Sequence, residues 1–186
     1  MTRRTFAFIL TIVAARCGQA RGALYEFTLR GEVTYSLFSP NPAVGDPCTI
    51  RYVADSRPDP ATGHYMATAA TISFPTVAFT TPGPAEVTAG VFTSGAGVVQ
   101  YLDTGPNWGL NVVLWFPAGV ITGKLPLELP LSQATLTHFG LFPVFEERIY
   151  GTITSYVSRE VPEPCSLSAA LIALAVKGAR RRPRRA

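Results

Sequence analysis

The side chains able to do chemistry are few and scattered along this 186-residue chain. His64 and His138 are its two histidines. Neither is joined to a serine or cysteine motif, and no Gly-x-Ser-x-Gly nucleophile elbow is present. Triad members meet in space rather than in sequence, so spacing alone leaves a hydrolase open. Both histidines read first as surface or strand-end residues. Asp55, Asp59 and Asp103 fall in predicted loops, where hard carboxylate oxygens suit calcium. The EF-hand pattern is absent, however, and turn aspartates are expected from local hydrogen bonding alone. The cysteines, Cys17, Cys48 and Cys165, lack the paired spacing of a zinc site. Tyr65, Tyr101, Trp108, Trp115 and Phe116 offer rings that stack on pyranose faces or fill a core. Trp115 and Phe116 are adjacent and point to opposite faces of any strand, so at most one of them serves a given face. No catalytic, cofactor-binding or metal-binding residue emerges, and the expectation is a protein without enzymatic activity.

Any such groups must be positioned by strands. Tyr25, Phe27, Leu29, Val33, Tyr35 and Leu37 share one parity, while Glu26, Thr28, Arg30, Glu32, Thr34 and Ser36 take the other, which is the period of a half-buried strand. Pro40, Pro42, Gly45 and Pro47 interrupt it, and Cys48, Ile50 and Tyr52 resume it; Cys48 thereby reads as a small buried hydrophobe. Further strands are predicted at 65–74, 76–80, 86–92, 97–102, 108–116 and 148–157. Nothing between 24 and 160 has the period of a strong amphipathic helix. With 16 Gly and 16 Pro between short apolar runs, the chain reads as all-β, an antiparallel β-sandwich or jelly roll over 24–160. A hydrophobic content of 47% excludes a disordered chain.

The net charge of +4 is misleading. Ten of the 16 basic residues lie in the terminal segments, leaving Arg30, Arg51, Arg57, Lys124, Arg148 and Arg159 in 24–164, the segment that holds all 12 acidic residues. Six minus twelve gives the middle a formal charge of −6. A nucleic-acid partner is therefore not expected, because phosphate binding needs a surplus of cations facing the ligand.

The ends have the layout of addresses. Residues 1–23 carry Arg3 and Arg4, an apolar run from Phe6 to Ala15, and then Gly18, Ala20, Gly22 and Ala23, the order of a secretory signal peptide. The run is too short to span a bilayer, which takes ~20 apolar residues. Cleavage after Ala20 leaves small residues at the recognised positions; cleavage after Ala23 would place Arg21 at one of them. Thr2-Arg3-Arg4-Thr5-Phe6 also resembles the start of a twin-arginine signal, so either export route is open. At the other end Val161-Pro162-Glu163-Pro164 precedes an apolar stretch from Leu167 to Val176, and the cluster Arg180-Arg181-Arg182-Pro183-Arg184-Arg185 follows.

This ending resembles the PEP-CTERM sorting signal of bacterial exported proteins. The resemblance rests on the Pro162-Glu163-Pro164 box, the apolar stretch, the Arg180, Arg181, Arg182, Arg184 and Arg185 tail, and the N-terminal signal together. A softer likeness covers the middle, in the Phe27–Tyr35 strand, the Val44-Gly45-Asp46-Pro47 turn and the Gly151–Thr154 strand. It implies a signal peptide at 1–23, a β domain at 24–160 and a sorting signal at 161–186 with a short membrane helix. It also implies an exosortase, a membrane transpeptidase, as processing partner, a lipid bilayer before processing, and a cell-surface or extracellular setting with extracellular polysaccharide as a candidate partner. The physics agrees. Two prolines hold the box extended, and the arginines keep the terminus on the cytoplasmic side. The alternatives kept open are a carbohydrate-binding module and a secreted hydrolase.

Overall fold

The computed structural model describes residues 22–37, 42–81, 83–104, 109–142 and 149–162. Ten strands form in chain order: β1 (Leu24–Ser36), β2 (Pro47–Pro58), β3 (Tyr65–Ala67), β4 (Thr71–Ser73), β5 (Ala78–Thr80), β6 (Ala85–Val91), β7 (Gly97–Thr104), β8 (Gly109–Phe116), β9 (Leu136–Phe142) and β10 (Ile149–Val161). Every pairing is antiparallel. The order β1-β10-β9-β8-β7-β6-β3-β2 returns to β1 through a β1–β2 pairing, so eight strands close on themselves. The domain is a barrel, and the expected sandwich or jelly roll is corrected. β1 is the reason: hydrogen bonds leave both of its edges, to β10 from Leu24 to Ser36 and to β2 from Leu24 to Glu32. Closure removes the sheet edges that an open sandwich leaves exposed. The signal helix and the membrane helix expected at the two ends lie outside the described residues.

Closure is completed on a shared edge of β2. Its first half pairs with β4 at Thr49–Arg51 and its second half with β3 at Ala54 and Pro58. The β4–β5 hairpin thus branches from the wall. The single strand expected over 65–74 is split at 68–70, where Ala70 turns into the core while its backbone bonds Thr81. No strand was expected at β9, because Gly140 and Phe142, on the opposite parity to the inward Phe139 and Leu141, blur its alternation.

The inward faces supply the core: Phe27, Leu29 and Val33 of β1, Ile50, Tyr52 and Ala54 of β2, Val99 and Tyr101 of β7, Val112 and Leu114 of β8, and Ile149 and Ile153 of β10. Tyr52 stacks on Phe27 at 5.1 Å and meets Tyr101 at 4.5 Å between ring centroids. Buried hydroxyls need partners. The Tyr101 hydroxyl donates to the Thr68 carbonyl at 3.3 Å, and that of Tyr156 to the Pro126 carbonyl at 2.8 Å. Burial pushes the Tyr101 phenol up to about 12 and raises the Tyr52 and Tyr156 phenols well above the ordinary phenol range. The β8–β9 connection, with a 3₁₀ turn at Leu131–Gln133, packs Ile121 and Leu125 into the core.

Strand direction fixes what lies at each end. Because neighbours are antiparallel, the starts of β1, β7 and β9 and the ends of β2, β6, β8 and β10 share one rim. Leu24 pairs with Val161 there, so both ends of the domain emerge together. At the opposite rim the β1–β2 connection is tied by Gly45 N–H donating to Val33 O and Val33 N–H to Asp46 O. Gly45 has φ of 90°, a left-handed conformation that favours glycine.

The parity of β1 does not survive to its end. Pairing with β10 slips between Val33 and Tyr35, leaving Thr34 as an extra residue, and Tyr35 emerges on the outside, 44% exposed, its ring tilted against Tyr150 at 5.5 Å.

Candidate functional site

The outer wall of β10, β1 and β2 is the place where charged side chains converge. Register sets the grid. Arg159 lies opposite Glu26, Val157 opposite Thr28 and Ser155 opposite Arg30, while on the next strand Arg51 lies opposite Thr28. All point outward because Phe27, Leu29, Ile50 and Tyr52 point inward.

A bulge shapes this wall. Arg30 pairs with Ser155 and Gly31 with Ile153, so Thr154 is the extra residue; its hydroxyl donates to the Arg30 carbonyl at 3.3 Å. Gly31 permits the close approach, since a Cβ there would stand 2.2 Å from the Thr152 carbonyl oxygen. Bulges bend the strand and re-aim side chains. Beside it lies a concavity of about 520 Å³ lined by Glu26, Thr28, Arg30, Arg51, Ser155, Val157 and Arg159.

Three of the six basic residues of 24–164 therefore meet in one hollow of an otherwise acidic domain. Arg159 is held by Glu26, Nη2 to Oε2 at 2.5 Å. Arg30 and Arg51 have no ion pair among the described residues. Guanidinium groups pair with carboxylate, sulfate or phosphate through two parallel N–H bonds, and the Thr28 and Ser155 hydroxyls stand between them. The chemistry of such a surface is recognition of anions. Two carboxylates flanking a bond, as glycoside hydrolysis uses, are not offered, because Glu26 is the one acid in the lining.

The residues singled out in the sequence lie elsewhere. His64, just before β3, brings its Nδ1 to 2.9 Å from Glu86 Oε2 of β6 on the surface, a pairing that sequence spacing did not suggest. Among the described residues its ring has no hydroxyl or thiol partner. His138 lies tilted against Tyr150, ring centroids 5.6 Å apart. The three aspartates do not gather: Asp55 Oδ1 accepts from Arg57 N–H, Asp59 Oδ1 from Ala61 N–H, and Asp103 Oδ2 from Gly83 N–H. Asp55 and Asp103 belong to strands rather than to loops, and Asp103 is buried. No group of three metal-binding side chains occurs among the described residues.

Cys48 is in the core, with its thiol pushed up to about 12 by burial. Cys17, Trp108 and Cys165 lie outside the described residues. Tyr65, Tyr101 and Phe116 are buried, so the supposed aromatic platform is dispersed. Trp115 alone of the described four faces outward, stacked on Phe92 at 5.2 Å. Of the residues expected to form a sorting signal, Pro162 follows β10 directly and is exposed. Glu163, Pro164, Arg180, Arg181, Arg182, Arg184 and Arg185 lie outside the described residues, as does the signal segment up to Arg21.

The arginine hollow was missed because its members are separated by up to 129 positions. Outward parity of Arg30 and Arg51 was legible, but their adjacency required the β1–β2 register. No family model, characterised protein or solved structure matches this chain.

Proposed function

We propose that the chain is an exported, membrane-sorted, non-catalytic interaction protein of the bacterial envelope or extracellular matrix, processed at its C-terminus by an exosortase. The observation that carries this reading is the order of parts: basic-apolar-small at the start, Pro162-Glu163-Pro164, an apolar stretch and an arginine tail at the end. The fold supports it, because Leu24 and Val161 are paired neighbours at one rim and Pro162 is exposed. A processing enzyme has access to a strip that leaves the barrel at its edge. Ala23 O accepts from Ser56 N–H at 2.9 Å, a bond that cleavage after Ala20 would keep and cleavage after Ala23 would remove.

Replacing Pro162, Glu163 and Pro164 by alanine tests the reading in a host that has the exosortase. Export should continue while an unprocessed, membrane-bound chain accumulates. Processing equal to that of the parent would return the C-terminus to the status of an ordinary anchor.

A second reading, a carbohydrate-binding module, is favoured by the hollow at Arg30, Arg51 and Arg159. Guanidinium and hydroxyl groups together suit an acidic polysaccharide, whose carboxylates or sulfates the arginines would take. On this reading the wall of β10, β1 and β2 is how the exported barrel engages its matrix.

A further inference from the structure

The register carries the chemistry of the arginine hollow sideways, onto the β4–β5 hairpin. Arg51 lies opposite Thr28 on one side and Thr71 on the other, and Thr71 lies opposite Thr80. With Val157 opposite Thr28, one row of side chains crosses β10, β1, β2, β4 and β5. Two residues away along each strand, Ser155, Arg30, Thr49, Ser73 and Ala78 make a second row. Both rows face outward, because Leu29, Ile50 and Ile72, which alternate with them, are buried.

Apart from Val157 and Ala78, every position in the two rows carries a hydroxyl or a guanidinium. The Thr71 and Thr80 hydroxyls stand 3.4 Å apart. Those of Thr28, Thr49, Ser73 and Ser155 have no partner among the described residues. Acids flank the rows along β1: Glu26, paired with Arg159, on one side, and the exposed Glu32 on the other. An anionic chain is repelled from both flanks and attracted between them.

The pitch selects the ligand. Neighbouring strands lie ~4.8 Å apart, close to the length of one sugar in an extended polysaccharide, so a chain running across the strands presents one sugar to each. In a two-fold extended chain successive sugars are turned over, and their carboxylates point to alternate sides. Arg30 and Arg51 match that alternation, since they sit on adjacent strands in opposite rows. Each guanidinium can take a carboxylate through two parallel N–H bonds. A compact anion would engage the arginines alone and leave the hydroxyls of β4 and β5 without a role.

We propose that the two rows form an extended track for a uronate polysaccharide lying perpendicular to the strands, with carboxylates on Arg30 and Arg51 and sugar hydroxyls on the threonines of β4 and β5. The inference rests on the carbohydrate-binding reading above and adds direction, length and the hairpin residues to it.

The test is calorimetric titration of the full chain with galacturonate oligomers of increasing length. Affinity should climb from the dimer upward and level off once the oligomer covers five strands, about 19 Å across. Thr71→Val with Thr80→Val keeps the size and β preference of both residues. It should weaken the long oligomer by roughly three- to ten-fold, the worth of one or two hydrogen bonds, and leave the dimer unchanged. Thr80→Val alone, at the outer end, should show a smaller loss of the same kind. If the dimer binds and Arg30→Ala with Arg51→Ala abolishes it, but longer oligomers gain nothing or the valine variants keep the gain, the track is wrong and the hollow is a local anion site. If no oligomer binds at any length, the carbohydrate-binding reading falls and the track with it.

Discussion

Arg30 and Arg51 are the two side chains whose neighbourhood says most about binding. They face outward on adjacent strands, two positions out of register, without an acidic partner among the described residues. Replacing both by alanine should leave stability within about 0.5 kcal/mol, as expected for surface sites. The same change should abolish salt-sensitive retention on an immobilised polyuronate. Column elution by a salt gradient, beside a urea titration, measures both. Retention equal to the parent's would remove the acidic-polysaccharide reading. Glu26 offers the opposite sign. Its pair with Arg159 is largely solvent-exposed on the arginine side, so Glu26→Gln should cost about 0.2–1 kcal/mol and strengthen the same retention by freeing a third guanidinium. Weaker retention in that variant would show that Glu26 itself holds the ligand.

At the scale of elements, the seam between β1 and β10 is a place of close backbone approach. A Cβ at Gly151 would stand 2.1 Å from Phe139 Cε1 and 2.2 Å from the Glu32 carbonyl oxygen, one a core ring and the other backbone. Gly151→Ala should therefore destabilise by about 1–3 kcal/mol or more, because neither neighbour yields cheaply. Gly90→Ala is the matched control: its nearest atoms stand at 3.8 and 3.9 Å, ordinary contact, and a neutral or slightly stabilising change is expected. Equal urea midpoints for the two variants would contradict the packing account of the seam. The strands around it were largely legible, since Phe27, Leu29, Cys48, Ile50 and Tyr52 alternate without interruption. Their closure was not. Alternation reports which face of a strand is buried and is silent on which strand lies across each edge. The bulges at Thr34 and Thr154 were equally hidden, because an extra residue shows only against a partner. That is why Tyr35, in phase with Phe27, ends outside. The arginine hollow needed the same missing register, whereas the proposed sorting box at Pro162-Glu163-Pro164 is contiguous and needs none.

The whole molecule stores proton-linked stability in its core. The Cys48 thiol rises from 9.0 to about 12 and the Tyr101 phenol from 10.0 to about 12, both chiefly by burial, and the Tyr52 and Tyr156 phenols move the same way. In each case the unfolded chain gives up its proton at a lower pH than the folded one. The stabilisation is complete below about pH 9 and is lost as pH rises toward the folded values, at about 1.4 kcal/mol per pH unit for each group so affected. Urea midpoints should hold steady from neutrality to about pH 9 and then fall steeply, with Cys48→Ala delaying the onset. A flat profile through that range would contradict the buried placement of these groups. The same molecule, seen from its ends, is a barrel whose entry and exit strands leave together at one rim, between two terminal segments proposed above to direct export and sorting. The most direct test of that view is the intact mass of the protein recovered from the cell surface or medium of a host that has the exosortase. The mass should correspond to a chain beginning at Arg21 or at Leu24 and lacking everything beyond the Pro162-Glu163-Pro164 box. Recovery of that pool with Met1–Ala20 still attached, or with the Arg180–Arg185 tail intact, would contradict it.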